Sequence, residues 1–202
     1  MSTEAPCALI SVSDKQKVAR FAEGLADRGY RILSTGGTAD QLREAGVEVD
    51  PVSEVTGFPE IFDGRVKTLH PLIHGGVLAR EDCDADRETR LDHGIPRIDL
   101  VCVNLYDFAG ALQRGLNDRD LVEEIDIGGP TLLRAAAKNY HSLAVLPDPS
   151  FYSRFQAELR SREGSIGLSL RKELAAYTFS MVSRYDRLIS EGLGGTEERS
   201  SQ

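Results

Sequence analysis

The sequence predicts an α/β domain, a doubly wound and mostly parallel sheet flanked by helices, and three observations carry that prediction. Short apolar runs of strand length alternate with longer segments whose apolar residues recur at helical spacing. The run Ile98-Asp99-Leu100-Val101-Cys102-Val103-Asn104-Leu105 is nearly continuous in apolar residues, as suits a strand buried on both faces of a parallel sheet. The junctions from strand to helix carry small and capping residues, Ser13-Asp14-Lys15 after one run and Ser34-Thr35-Gly36-Gly37-Thr38 after another.

Taken in order, residues 8–12 form the first strand, and Ser13 or Asp14 caps a helix over 17–28 that Gly29 stops. Residues 30–34 form the second strand; the glycine-containing loop after it opens a helix over 39–45, closed by Gly46. A weaker third strand covers 47–52. Residues 64–76 then place Arg65, Lys67, Thr68, His70 and His74 within ten positions, and Pro71 argues against a helix there. That segment reads as a shaped loop aiming cations and a hydroxyl at an anion, with a solvated basic loop as the plain alternative. An acidic, loop-like stretch over 81–88 leads to the strongest strand, 98–106. A helix over 130–139, a fifth strand over 142–146 and helices over 150–161 and 168–191 complete the pattern. The last helix has one apolar face, including Leu174, Val182 and Tyr185, fitted to pack on the sheet or to meet a second copy. The tail from Gly192 is rich in Gly, Ser and Glu and is predicted to be disordered, which makes 1–191 the domain and 192–202 a tail.

Composition narrows the classes of function. A chain of 202 residues with 41% hydrophobic and 28% charged residues has the profile of one ordinary globular domain. A net charge of −8 argues against non-specific nucleic-acid binding, but leaves room for a local basic pocket. Cys7, Cys83 and Cys102 are odd in number and scattered, with neither metal-ligand spacing nor a disulfide framework, which suits a reducing cytoplasm. No segment has the length of a signal peptide's apolar core or of a membrane span. His70 and His74 stand four apart like a metal pair, but Pro71 lies between them and no third ligand is evident, so both read as loop-shaping or hydrogen-bonding residues.

In doubly wound sheets ligands collect at the carboxyl ends of the strands. Ser13-Asp14-Lys15, residues 34–38 and residues 104–106 all follow strands and should therefore face one rim. In the Ser-Thr-Gly-Gly-Thr loop the glycines permit close approach, the hydroxyls donate, and the following helix offers free N–H groups; with Lys15 this makes a phosphate site. A tight turn with Thr38 as a simple N-cap is the alternative. Further on, Asp126-Ile127-Gly128-Gly129-Pro130 has the signature of a helix start, and Arg134 and Lys138 share a face of that helix. There, a structural cap at Asp126 and a solvated charge at Lys138 are the alternatives.

These motifs, together with Thr56-Gly57-Phe58-Pro59-Glu60, Arg65-Val66-Lys67-Thr68-Leu69-His70-Pro71 and Asn104-Leu105-Tyr106, occur in an order that resembles the inosine monophosphate cyclohydrolase domain, the amino-terminal half of the bifunctional purine-biosynthesis protein. The resemblance covers nearly the whole chain. It implies a methylglyoxal-synthase-like α/β/α fold and the ring closure of formamido-imidazole-carboxamide ribotide to inosine monophosphate with loss of water, without metal or other cofactor. It further implies a cytoplasmic homodimer acting on a small nucleotide, with no nucleic-acid or membrane partner. Carried onto this sequence, the resemblance implies catalytic roles for Lys138, Asp126, Lys67 and Tyr106. Lys138 protonates the leaving oxygen, Asp126 accepts or orients the carboxamide N–H, and Lys67 shares a cleft with Lys138. Ser13, Asp14, Lys15, Thr35, Gly36, Gly37 and Thr38 hold the phosphate end. Arg65, Val66, Thr68, Val103, Asn104, Ile127 and Gly128 line the rest of the nucleotide. Two departures stand out. Asp107 occupies a position where the family usually has proline, and no transformylase half follows, so the expectation is a standalone cyclohydrolase or a separately expressed domain. A methylglyoxal-synthase-type lyase and a nucleotide-sensing module are the rival readings on the same fold.

Overall fold

The computed structural model describes residues 5–194, and residues 195–202, most of the predicted tail, lie outside them. Five parallel strands, β1 (Cys7–Ser11), β2 (Arg31–Ser34), β3 (Asp50–Pro51), β4 (Leu100–Val103) and β5 (Ala144–Leu146), form one sheet in the order β3-β2-β1-β4-β5. The chain first builds outward from β1 to β3 and then returns to place β4 on the other side of β1. This reversal puts the switch point between β1 and β4, where their diverging connections leave a crevice. Every residue of β4 and β5 is buried, which is why these runs are apolar without alternation. β3 is a two-residue edge strand: Pro51 has no N–H to extend the ladder, and α3 (Val52–Thr56) begins at once.

The helices depart from expectation mainly where a polar residue starts them. α1 (Val18–Ala26) lacks the expected side-chain cap; Asp14 Oδ1 instead accepts the Gln16 N–H at 2.9 Å, and Lys17 (φ 58°) turns the chain into the helix. α2 (Gly36–Glu44) starts three residues early and takes both loop glycines into its first turn. Pro71 begins α4 (Pro71–Leu78) rather than breaking it, because at the first helical position a missing N–H costs nothing. His70 caps that helix, its Nδ1 accepting the Leu72 N–H at 3.2 Å. The acidic stretch carries α5 (Asp84–Asp92), with Asp84 and Asp86 in the first turn where the helix dipole favours them. Two short helices, α6 (Phe108–Gln113) and α7 (Asp118–Glu123), follow β4, capped by Asp107 onto Gly110 N–H and by Asn117 onto Asp120 N–H. Asp107 thus has a structural role of its own.

α8 (Gly128–Lys138), α9 (Tyr152–Ser161) and α10 (Leu168–Gly194) complete the layers. Asn139, just past α8, donates to Val77 O and Ala79 O at 2.8 and 2.9 Å and so ties the ends of α4 and α8 together. α10 extends three residues beyond its expected end and contributes to two cores. Leu174 and Val182 join the core around the sheet, and Tyr185 joins a smaller one with Phe108, Ala111 and Leu121. Cys7 and Cys102 are buried, and burial pushes both thiols up to about 12.

Candidate active site

A cavity of about 990 Å³ opens at the carboxyl ends of β1, β2 and β4, within the range that takes a small ligand. One end of it is built directly on the sheet. Ser34 Oγ donates to Ile10 O at 2.6 Å, Thr35 and Ser11 share a hydroxyl hydrogen bond at 3.0 Å, and Thr38 Oγ1 both accepts from Val12 N–H and donates to Val12 O. Thr38 is therefore neither the N-cap nor a free phosphate donor; its hydroxyl locks the end of β1 to α2. The first-turn N–H groups of α2 receive no side-chain cap and remain available to an anion. Lys15 Nζ donates to Gly37 O at 3.0 Å, and a Cβ on Gly37 would stand 2.9 Å from that nitrogen, so glycine lets the lysine lie across the helix start. Asn104 holds the adjoining loop: its Oδ1 accepts from Ser13 N–H (2.7 Å) and Asp14 N–H (2.9 Å), and its Nδ2 donates to Asp14 O (2.9 Å).

The other end gathers Lys67, Tyr106, Asp126 and the start of α8. Lys67 Nζ is 3.9 Å from where a Gly36 Cβ would be and 3.7 Å from that of Gly64, so the ammonium sits between the phosphate loop and the opposite wall. Asp126 Oδ1 accepts the Gly129 N–H at 2.8 Å, while its own N–H donates to Tyr185 Oη at 2.9 Å, so α10 helps to hold it. A Cβ on Gly129 would fall 2.3 Å from Asp126 Oδ2. Burial raises the Asp126 carboxyl above its ordinary value, against the lowering effects of the Gly129 N–H, the Lys67 charge and the Tyr106 and Gly128 N–H groups. Burial also raises the Tyr106 phenol, reinforced by the negative charges of Asp126, Glu124 and Glu60. The site thus places a half-buried carboxylate near a lysine and a neutral phenol, a set able to take and return protons.

Of the residues singled out in the sequence, Ser13, Lys15, Thr35, Gly37, Thr38, Arg65, Lys67, Thr68, Val103, Asn104, Tyr106, Asp126, Ile127 and Gly128 line this cavity. Four do not. Asp14 faces a smaller cavity beside Asn104 and Arg184, Gly36 lies under Lys67, and Val66 pairs with Ile61 in an antiparallel bridge. Lys138 is exposed in the last turn of α8, ten residues beyond Gly128 and therefore about 15 Å along the axis. It does not share its own chain's cleft with Lys67. The lining also includes Phe62, Asp63, Gly64, Val122, Glu123 and Ile125, which sequence reasoning passed over although they adjoin Arg65 and Asp126. Among the described residues, no group of three or more His, Cys, Asp and Glu side chains is placed to hold a metal ion.

The MGS-like domain family matches residues 17–131, and the AICARFT/IMPCHase bienzyme family matches residues 136–202. The bifunctional purine biosynthesis protein PurH of Ruegeria sp. (strain TM1040) is 48% identical over 188 residues, which is 93% of this chain and 36% of that protein. Its counterpart from Aquifex aeolicus (strain VF5) is 50% identical over 184 residues, 91% of this chain and again 36% of its own length. The chain therefore spans about a third of these relatives. The crystal structure of ForH superposes with a TM-score of 0.85 at 36% identity, covering 95% of this chain and 98% of that one. With a family match over more than half its residues and a solved relative aligned along nearly its full length, the chain belongs to the MGS-like domain family.

Proposed function

We propose that the chain is an inosine monophosphate cyclohydrolase, which closes formamido-imidazole-carboxamide ribotide to inosine monophosphate with loss of water. The observation that carries this reading is the half-buried Asp126 within the electrostatic reach of Lys67 at one end of a cavity whose other end offers free helix N–H groups and Lys15 to a phosphate. The names of the relatives and the bienzyme match support it. The carboxamide nitrogen attacks the formyl carbon of the same molecule, so the protein's task is to hold the two arms together and to move protons. Asp126 accepts a carboxamide proton; its raised pKa makes the ionised form a stronger base. Lys67 and Tyr106 stabilise the oxyanion as the new C–N bond forms; that oxygen then takes the proton Asp126 removed from the carboxamide, and Lys67 supplies the second proton with which it leaves as water, recovering it from the formamido nitrogen as the C–O bond breaks and the C=N bond forms. The enzyme is then a hydrolase by class that runs toward ring closure.

A cytoplasmic homodimer is part of the proposal. Lys138, on the outer face of α8, enters the chemistry only where a second copy of the chain brings it to a cavity mouth. Two experiments test the reading. Purified protein given the formylated ribotide should produce inosine monophosphate, followed by ultraviolet absorbance; binding of the product without turnover would point to a sensor instead. Mixing inactive Lys67→Met and Lys138→Gln chains should restore activity if the site is shared between subunits, and no recovery would remove Lys138 from it.

A further inference from the structure

Residues 61–66 form a pinned tip at the cavity mouth. Ile61 N–H donates to Val66 O at 3.1 Å, Val66 N–H to Ile61 O at 3.3 Å, and Arg65 N–H to Phe62 O at 3.1 Å. Within that frame Phe62, Asp63 and Gly64 have φ of 55°, 53° and 84°, three successive residues in left-handed space. Glycine adopts it freely and aspartate tolerates it; for Phe62 it is strained, and such strain persists only where the surrounding structure holds it, as it does at many ligand sites. The tip also carries the most exposed large apolar side chain among the described residues, Phe62 at 70%, and that side chain lines the cavity. Strained backbone and a wetted aromatic ring are two separate costs at one residue, and neither contributes to the core. Across the mouth, Ile127 and Val122 are also exposed and also line the cavity, and an ion pair between Arg65 and Glu123 (3.6 Å) joins the tip to α7.

We propose that Phe62 is a specificity residue that stacks on the planar heterocycle of a bound ribotide, with Ile127 and Val122 as apolar contacts on the far flank. The inference rests on the cyclohydrolase reading for the identity of the ligand, and deepens it: the phosphate cradle holds the sugar phosphate that many metabolites share, whereas Phe62 selects those bearing a flat ring. Aromatic stacking on a base is sequence-tolerant and energetically substantial, so its loss is measurable.

The test compares two probes that share a ribosyl phosphate, inosine monophosphate and ribose 5-phosphate, by calorimetric titration of the parent chain, Phe62→Ala and Phe62→Trp. The parent should prefer the nucleotide, Phe62→Ala should lose about tenfold in nucleotide affinity with ribose 5-phosphate unchanged, and Phe62→Trp should keep the preference. Equal weakening of both probes, no change in either, or a parent without preference overturns the proposal. Because Phe62 is exposed, unfolding of Phe62→Ala is not expected, and an unchanged thermal midpoint checks this. Failure of ring closure in the parent, with the nucleotide preference intact and dependent on Phe62, would sink the cyclohydrolase reading while leaving the stacking role standing.

Discussion

The two ends of the cavity are built on opposite principles. At the phosphate end, side chains project from the carboxyl edge of the sheet, and the hydroxyls of Ser34, Thr35 and Thr38 are buried and spent on Ile10, Ser11 and Val12. With those hydroxyls engaged, the donors left to an anion there include the first-turn N–H groups of α2 and Lys15. At the opposite end the walls are a strained tip, a short capped helix and the start of α8, and they expose apolar surface to water. On the proposed function, the difference teaches that anchoring and discrimination are separable: the sheet would fix a generic anion site, and the excursions between strands would carry the chemistry and the choice of substrate.

The largest expected effect breaks the chemistry while sparing the anchor. Asp126→Asn removes the carboxylate base and should lower turnover about a hundredfold or more, with inosine monophosphate affinity nearly kept. The same variant has a pH signature. Because burial raises the folded carboxyl, the unfolded chain loses that proton first, and the ionised group costs stability as pH rises from acid through the carboxylate range. The thermal midpoint of Asp126→Asn relative to the parent should therefore shift in the variant's favour between acid and neutral pH. A constant difference would mean that Asp126 is not held in a raised state.

How far each end was readable in the sequence follows the same division. β4 and β5 were plain because strands buried on both faces must be apolar throughout. The strand-to-helix junction at residues 34–38 is plain from its hydroxyls and glycines, but the helix start is not: Gly36 and Gly37 read as loop, although they form the first turn of α2. α4 is hard to read in the sequence because Pro71 looks like a breaker, whereas its place after the capping His70 makes it a starter. α6 and α7, each of six residues, are too short to show a period, although Asp107 and Asn117 carried the cap signal. The separation of Lys138 from Gly128 needed only helix geometry, since ten residues on one helix cannot both border a compact cleft. The turn at Asp63-Gly64 has a trace in the residue types, since Asp-Gly is a turn dipeptide and aspartate tolerates positive φ, but the left-handed backbone of Phe62 has none.

The next prediction sharpens the anchor side. Thr38→Val keeps the shape but strands the Val12 N–H and C=O in a buried place, and should cost about 1–3 kcal/mol of stability by denaturant unfolding. It should weaken inosine monophosphate and ribose 5-phosphate alike, the opposite of the Phe62→Ala pattern. Unequal losses would show that the two ends are not independent. The smallest effect is expected from Asn104→Ala, which frees the loop at Ser13 and Asp14 by removing three partly exposed hydrogen bonds. KM for the ribotide should rise several-fold, at roughly a kcal/mol for the lost bonds, with kcat little changed. A fall in kcat with KM unmoved would make Asn104 part of the chemical end instead.

The most direct test of the division is Lys67→Met, measured for ring closure of the formylated ribotide and for inosine monophosphate binding on the same preparation. Lys67 lies between the two ends, and on the proposed function it moves a proton and does not anchor the phosphate. Turnover should fall by about a hundredfold or more, with nucleotide affinity within a few-fold of the parent. Near-normal turnover, or a loss of turnover that merely tracks a loss of binding, would contradict the account.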